Sequence, residues 1–310
     1  MPSTLESSYA HCHRVARKAA RNFYYGFLLL PRPKRLALCA LYAYMRRVDD
    51  LADTPGELEA KRLLLGDWRQ ATERALAGDR SSEPVWPALA DTLERYQIPP
   101  RYLLDVVTGA EMDLSQHSYA TFADLRRYCY CVAGAVGRIC AHVFGFRDPR
   151  APELGEQMGI AFQLTNILRD LRKDYEMGRV YLPTDDFQRF GCRPEDLDRA
   201  GPPPGALEGM LRFQARRAWE YYEQGWALVP LVDQDSRGAL WALARIYSGL
   251  LEEIERRRFD VFSAPVRLSL PEKLAILFWA RLGPAGSDEF GQRDRSWRGL
   301  GWALLRHRAR

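Results

Sequence analysis

Gln163-Leu164-Thr165-Asn166-Ile167-Leu168-Arg169-Asp170-Leu171-Arg172-Lys173-Asp174 sets Asn166, Asp170 and Asp174 at steps of four residues, with Gln163 three residues before Asn166. At about 3.6 residues per turn these oxygen-bearing side chains share one stripe of an α-helix. Ile160, Phe162, Leu164, Ile167, Leu168 and Leu171 fill much of the remaining circumference. The helix is therefore expected to be largely buried, where carboxylates are costly unless a cation or hydrogen bonds neutralise them. Gly178 can end this helix, and the loop beyond it returns Arg179 and Tyr181 over the same place. A guanidinium there is apt for phosphate oxygens, which its planar fork of donors matches.

A second acidic segment, Arg46-Arg47-Val48-Asp49-Asp50-Leu51-Ala52-Asp53, closes an earlier helix whose apolar residues are Leu38, Leu41, Tyr42 and Met45. Asp49 and Asp53 again share a face, whereas Asp50 is rotated by about 100° and is the weaker ligand. Carboxylates at a helix C-terminus oppose the macrodipole, and like charges one turn apart repel. Alone, Arg46 could compensate by ordinary ion pairing, and a single Asp-Asp-x-x-Asp is usually a solvated charge run. Two such pairs in one chain point to a hard divalent cation. Mg²⁺ binds through one or two carboxylates and keeps water and phosphate oxygens in its shell.

Outward from these segments, apolar residues recur at helical spacing almost throughout, and no stretch shows sustained strand alternation. The fold class is all-α, with helices expected over 5–18, 34–52, 55–77, 84–97, 99–113, 122–144, 151–174, 205–229, 236–258 and 271–282. Breaks are expected at 146–149, 178–187, 201–205 and 283–286, and only the last reads as a linker. The organisation is therefore one helical domain over 1–282 and a basic Trp/Arg-rich tail over 283–310. The chain has 310 residues, with 47% hydrophobic and 27% charged, as in an ordinary globular protein that can bury a large core. No apolar run reaches the roughly 18 residues of a membrane span, and no signal-peptide core is present, so a cytoplasmic location is expected. The six cysteines lack Cys-x-x-Cys spacing and read as reduced thiols rather than a zinc site.

With these residues in view, the chain resembles the squalene/phytoene synthase family, the enzymes that join two prenyl diphosphates head to head. The resemblance is carried in order by Asn22-Phe23-Tyr24-Tyr25-Gly26 with Leu29-Leu30-Pro31, Ala40 through Asp53, and Glu111-Met112-Asp113. Tyr130-Cys131-Val132-Ala133-Gly134-Ala135-Val136-Gly137, Gln163 through Pro183, Tyr247, and Asp260-Val261-Phe262 to Arg267 complete it. It implies a single-domain isoprenoid-synthase fold with a central cavity between the acidic helices. It further implies that Asp49, Asp53, Asp170 and Asp174, assisted by Asn166 and Gln163, hold Mg²⁺, with Mn²⁺ as a substitute. Arg46, Arg169, Arg179 and Arg267 would contact diphosphate, and Tyr130, Tyr181 and Tyr247 would line the chamber with a contribution from Phe23. Two departures stand out: Ala19-Ala20-Arg21-Asn22 replaces a serine-rich approach, and Lys173 stands where members commonly carry an acid.

The expected reaction joins two farnesyl diphosphates into presqualene diphosphate, with diphosphate released. The alternative is phytoene synthase acting on two geranylgeranyl diphosphates. NADPH would enter only if the reaction proceeds to squalene, and no Gly-x-Gly-x-x-Gly after a strand announces a dinucleotide fold. A non-catalytic prenyl-lipid-binding partner would be expected to have lost carboxylates, and all four are present. The partners expected are prenyl diphosphates and no nucleic acid, while the oligomeric state is left open. Trp297, Leu300 and Leu304 alternate with Arg298, Arg306, Arg308 and Arg310, a pattern suited equally to peripheral contact with the inner membrane face and to packing on the domain.

Overall fold

The structure, a computed structural model, describes residues 4–79 and 83–282. The 283–286 linker and the basic tail therefore lie outside the described residues. Among the described residues the fold is helical, with only isolated bridges, Ser118 to Val180 and Phe146 to Val232, in place of strands. The helices are α1 (Thr4–Ala19), α2 (Arg21–Phe27), α3 (Arg32–Asp53), α4 (Leu58–Leu76), α5 (Trp86–Arg95), α6 (Arg101–Ser115), α7 (Phe122–Cys129) and α8 (Ala135–Phe144). They continue with α9 (Ala151–Glu176), α10 (Thr184–Phe190), α11 (Gly205–Trp226), α12 (Gln234–Arg256) and α13 (Leu270–Leu282).

The all-α expectation holds, and three local expectations are corrected. The stretch 122–144 is not one regular helix, because a π-helical turn over Tyr130–Gly134 joins α7 to α8. The expected break at 178–187 contains the start of α10, where Pro183 precedes the first helical residue and supplies a preset φ. The Asn22-to-Phe27 segment, read as a motif without structure, is the short helix α2.

α9, about 39 Å long at 1.5 Å per residue, is the axis of the molecule. It packs on α8, α11, α12 and the π-turn. Side chains on α1, α3, α5, α6 and α8 form one apolar core, and those on α9, α11 and α12 form another. Phe23 and Phe162 touch both. The seam between the cores is where the cavity opens.

Close approach of α8 and the π-turn to α9 depends on missing side chains. A Cβ on Gly137 would stand 1.9 Å from the Gly155 carbonyl oxygen, and one on Gly159 2.2 Å from that of Ala133. No side chain can be accommodated there without moving backbone.

Candidate active site

Three helices end at one place. α3 finishes with Asp49, Asp50 and Asp53, α6 with Asp113, and α9 with Asp170 and Asp174. Each terminus adds the partial negative charge of its unpaired carbonyls to these carboxylates. The result is a concentration of negative charge that calls for cations.

Below this mouth lies a cavity of ≈ 480 Å³, lined from α3 by Leu38, Leu41, Tyr42, Met45, Arg46, Asp49, Ala52 and Asp53. The span from Asp53 back to Leu38 is about 22 Å along the helix. Polar residues Asp49, Asp53, Asp113, Gln163, Asn166, Arg46 and Arg179 gather at one end, while Phe27, Phe144, Leu228, Leu240 and Leu243 line the rest. The site is thus amphipathic along its length, with an anionic mouth and an apolar body.

The electrostatics follow from this convergence. Asp49 is open to the cavity but deep within the protein, and burial, reinforced by Asp53, Asp50 and Asp113 against the opposing Arg46, pushes its carboxyl up to about 6. Burial and the neighbouring Asp170 push Asp174 up to about 7. Asp113 is likewise raised by burial, although hydrogen bonds from tyrosines and the Arg179 charge pull the other way. Asp50 pairs with Arg46, one turn earlier, which removes it from the cation-seeking set.

Every donor at the mouth is an oxygen, the chemistry of a hard divalent cation. Asn166 places a buried Oδ1 there without a hydrogen-bond partner, while its amide nitrogen donates to Gln163 Oε1 at 3.4 Å. A buried acceptor left unpaired is costly and suits a ligand. Among the described residues no three His, Cys, Asp or Glu side chains cluster tightly enough to share one ion. A cation's shell here would be completed by water and phosphate oxygens, as Mg²⁺ ordinarily prefers.

The loop after α9 is fixed by backbone bonds. Gly178 adopts φ +76°, a conformation that favours glycine, and the Arg179 amide donates to the Asp174 carbonyl at 2.9 Å. Val180 N–H then donates to His117 O at 2.8 Å, tying this loop to the segment after α6. Arg179 consequently lines the cavity. Tyr181 donates to Asp113 Oδ1 at 2.9 Å, and Tyr128 donates to Asp113 Oδ2 at 2.9 Å. The two rings stack with centroids 5.1 Å apart.

The other expected site residues are distributed as follows. Phe23, Arg46, Asp49, Asp53, Gln163, Asn166 and Arg179 line the cavity. Asp170 is held by Arg169 of the same helix, with Nε donating to Oδ1 at 2.9 Å. Tyr247 is buried behind the wall, stacked on Phe162 at 4.3 Å and near Phe23 at 5.4 Å. Arg267 is exposed on the segment before α13 and is not among the lining residues. Tyr130 is not among them either: its hydroxyl donates to Asp105 at 2.7 Å, and Tyr128 lines the cavity instead. The π-turn starts at Tyr130, so regular helical phase does not carry from one tyrosine to the other. Sequence reading assigned no role to Asp113 or Tyr128, although the Glu111-Met112-Asp113 match marked the first.

The profile of the squalene/phytoene synthase family matches residues 16–272. The chain belongs to this family. Phytoene synthase of Mycobacterium tuberculosis is 39% identical over 276 residues, covering 88% of this chain and 90% of that protein. The 15-cis-phytoene synthase of Synechococcus elongatus is 36% identical over 287 residues, covering 89% and 92%. Among solved structures, a dehydrosqualene synthase in complex with ligand matches with TM-score 0.82 at 29% identity, covering 90% of this chain and 96% of that one. Squalene synthase HpnC from Alicyclobacillus acidocaldarius matches with TM-score 0.77 at 27% identity, covering 84% and 97%. The protein is thus a prenyl transferase of the squalene/phytoene synthase type with the helical isoprenoid-synthase fold.

Proposed function

We propose that the enzyme takes two farnesyl diphosphates, ionises one, and joins them head to head as presqualene diphosphate. The observation that carries the chemistry is the convergence of the α3, α6 and α9 C-termini, with their carboxylates, at the mouth of an apolar cavity. Asp49, Asp53, Asp170 and Asp174, with Asn166, would hold Mg²⁺. When bound, Mg²⁺ neutralises the diphosphate so that it can leave.

The protein's own groups do the rest. Arg179, and Arg46 once drawn from Asp50, hold phosphate oxygens and keep the leaving group at the mouth. Phe23, Tyr128 and Phe162 offer π-faces to the allylic cation and no strong nucleophile that would trap it. The second substrate's double bond attacks the cation, and ring closure expels a proton from the carbon that forms the cyclopropane. Tyr128 oxygen receives that proton as its own passes to Asp113, whose raised affinity for protons suits the task.

The buried side chains of Phe27, Leu38, Phe144, Leu240 and Leu243 at the apolar end support the fifteen-carbon substrate. A second reading, condensation of two geranylgeranyl diphosphates, is supported by the phytoene synthases at 39% and 36% identity. Incubation with Mg²⁺ and either diphosphate, followed by product identification, separates them. Presqualene diphosphate from the fifteen-carbon substrate is expected. Phytoene formed from the twenty-carbon substrate, with no fifteen-carbon product, would establish the second reading. In the Phe27→Ala enzyme the enlarged end should raise twenty-carbon relative to fifteen-carbon turnover.

A further inference from the structure

Five of the ten large apolar side chains that stand exposed among the described residues lie on α13: Leu270 (57%), Leu274 (53%), Phe278 (60%), Trp279 (41%) and Leu282 (62%). Leu270, Leu274, Phe278 and Leu282 follow at steps of four and form one stripe about 18 Å long. Ile276, buried at 1% and on the opposite side of the helix, faces the protein. α13 runs antiparallel along α12, because a Cβ on Gly238 would meet the Ala280 carbonyl oxygen at 2.6 Å. The segment preceding α13 reaches the mouth end, where Arg172 donates to the Phe262 carbonyl at 3.5 Å. A helix that is apolar on both sides is normally covered on both.

We propose that the exposed face of α13 rests on a membrane surface carrying anionic headgroups. The charge around the stripe favours this occupant over the chain's own tail. Arg267 and Arg281 are exposed beside it, whereas Glu272 is engaged at the helix start, accepting from the Ser269 amide and hydroxyl at 2.8 Å each. The 28 residues beyond Leu282 carry a further six arginines from Arg293 onward. Like charge repels tail from helix flank, and anionic lipid attracts both. Apolar residues with Trp on one side and arginines at the edges are the composition of an interfacial helix. Guanidinium arms on such a helix reach outward to headgroups. No described helix is long and apolar enough to cross a bilayer, so the contact is superficial. The proposal does not depend on which prenyl chain the cavity takes.

The test is sedimentation of the full chain with vesicles of phosphatidylcholine alone or with roughly a third phosphatidylglycerol. Binding to the mixed vesicles is expected, with little to the neutral ones. It should weaken at about 1 M salt, where the Debye length is about 3 Å. The Leu274→Ser/Phe278→Ser protein should lose about tenfold or more in partitioning at an unchanged melting temperature. If that variant melts early, quenching by bromolipid vesicles replaces it, and Trp279→Phe should remove part of the quenched fluorescence. Equal binding by the double variant, or an unchanged quenched fraction, would overturn the proposal. Binding lost only on removing residues 283–310 would assign it to the tail. A dimer in solution that the double variant dissociates, with no vesicle binding, would make a second copy the occupant.

Discussion

Asp113 accepts hydroxyl protons from both Tyr128 and Tyr181, and its carboxyl is raised by burial at the end of α6. Asp113→Asn keeps the size but removes the proton acceptor, so turnover should fall about a hundredfold with KM little changed. Tyr128→Phe should do the same, and the double variant should lose no more than either alone, since the groups act as a unit. Fully additive losses would separate them. A second consequence concerns protons and cations. Asp49 and Asp174 titrate near 6 and 7 in the fold, above the ordinary value of 3.8. The folded state therefore holds protons that the unfolded chain has released, and the stability these groups contribute falls as pH rises from about 4 to about 7. A cation bound to the ionised pair displaces those protons. The gain in melting temperature on adding Mg²⁺ should thus grow from pH 5 to pH 7.5 and be much reduced in Asp174→Asn. A gain independent of pH would contradict the assignment.

At the scale of elements, legibility depended on periodicity. The stripe from Gln163 to Asp174 gave α9 because a four-residue step has one meaning on a regular helix, and the structure ends it at Glu176. The π-turn at Tyr130–Gly134 broke that logic for α7 and α8: one extra residue in the turn shifts the phase, so Tyr128 faces the cavity while Tyr130 bonds to Asp105. α2 and α10, at 7 residues each, are too short to print a period, and packing rather than pattern holds them. Asp113 was invisible for a related reason, since its partners Tyr128 and Tyr181 come from distant segments joined only by the loop bonds around Val180. Glycine was equally silent until its neighbours were known. Gly159→Ala would drive a Cβ into the Ala133 carbonyl and should destabilise the protein by about 2–3 kcal/mol, read as a fall in melting temperature. No change would mean that α8 and α9 can part without penalty.

For the whole molecule, two apolar cores enclose a cavity at their seam, and three helix ends give that cavity a mouth too negative to stand without cations. The fold thereby separates the two requirements of prenyl transfer, with diphosphate held where oxygen donors and arginines meet and hydrocarbon held where only rings and alkyl groups line the wall. Release of inorganic diphosphate from farnesyl diphosphate, followed with and without Mg²⁺ in the wild type and in Asp49→Asn, tests this division most directly. Mg²⁺-dependent release that disappears in Asp49→Asn, with the variant still folded, is the predicted result. Release that persists without a divalent cation, or at the wild-type rate in Asp49→Asn, would contradict it.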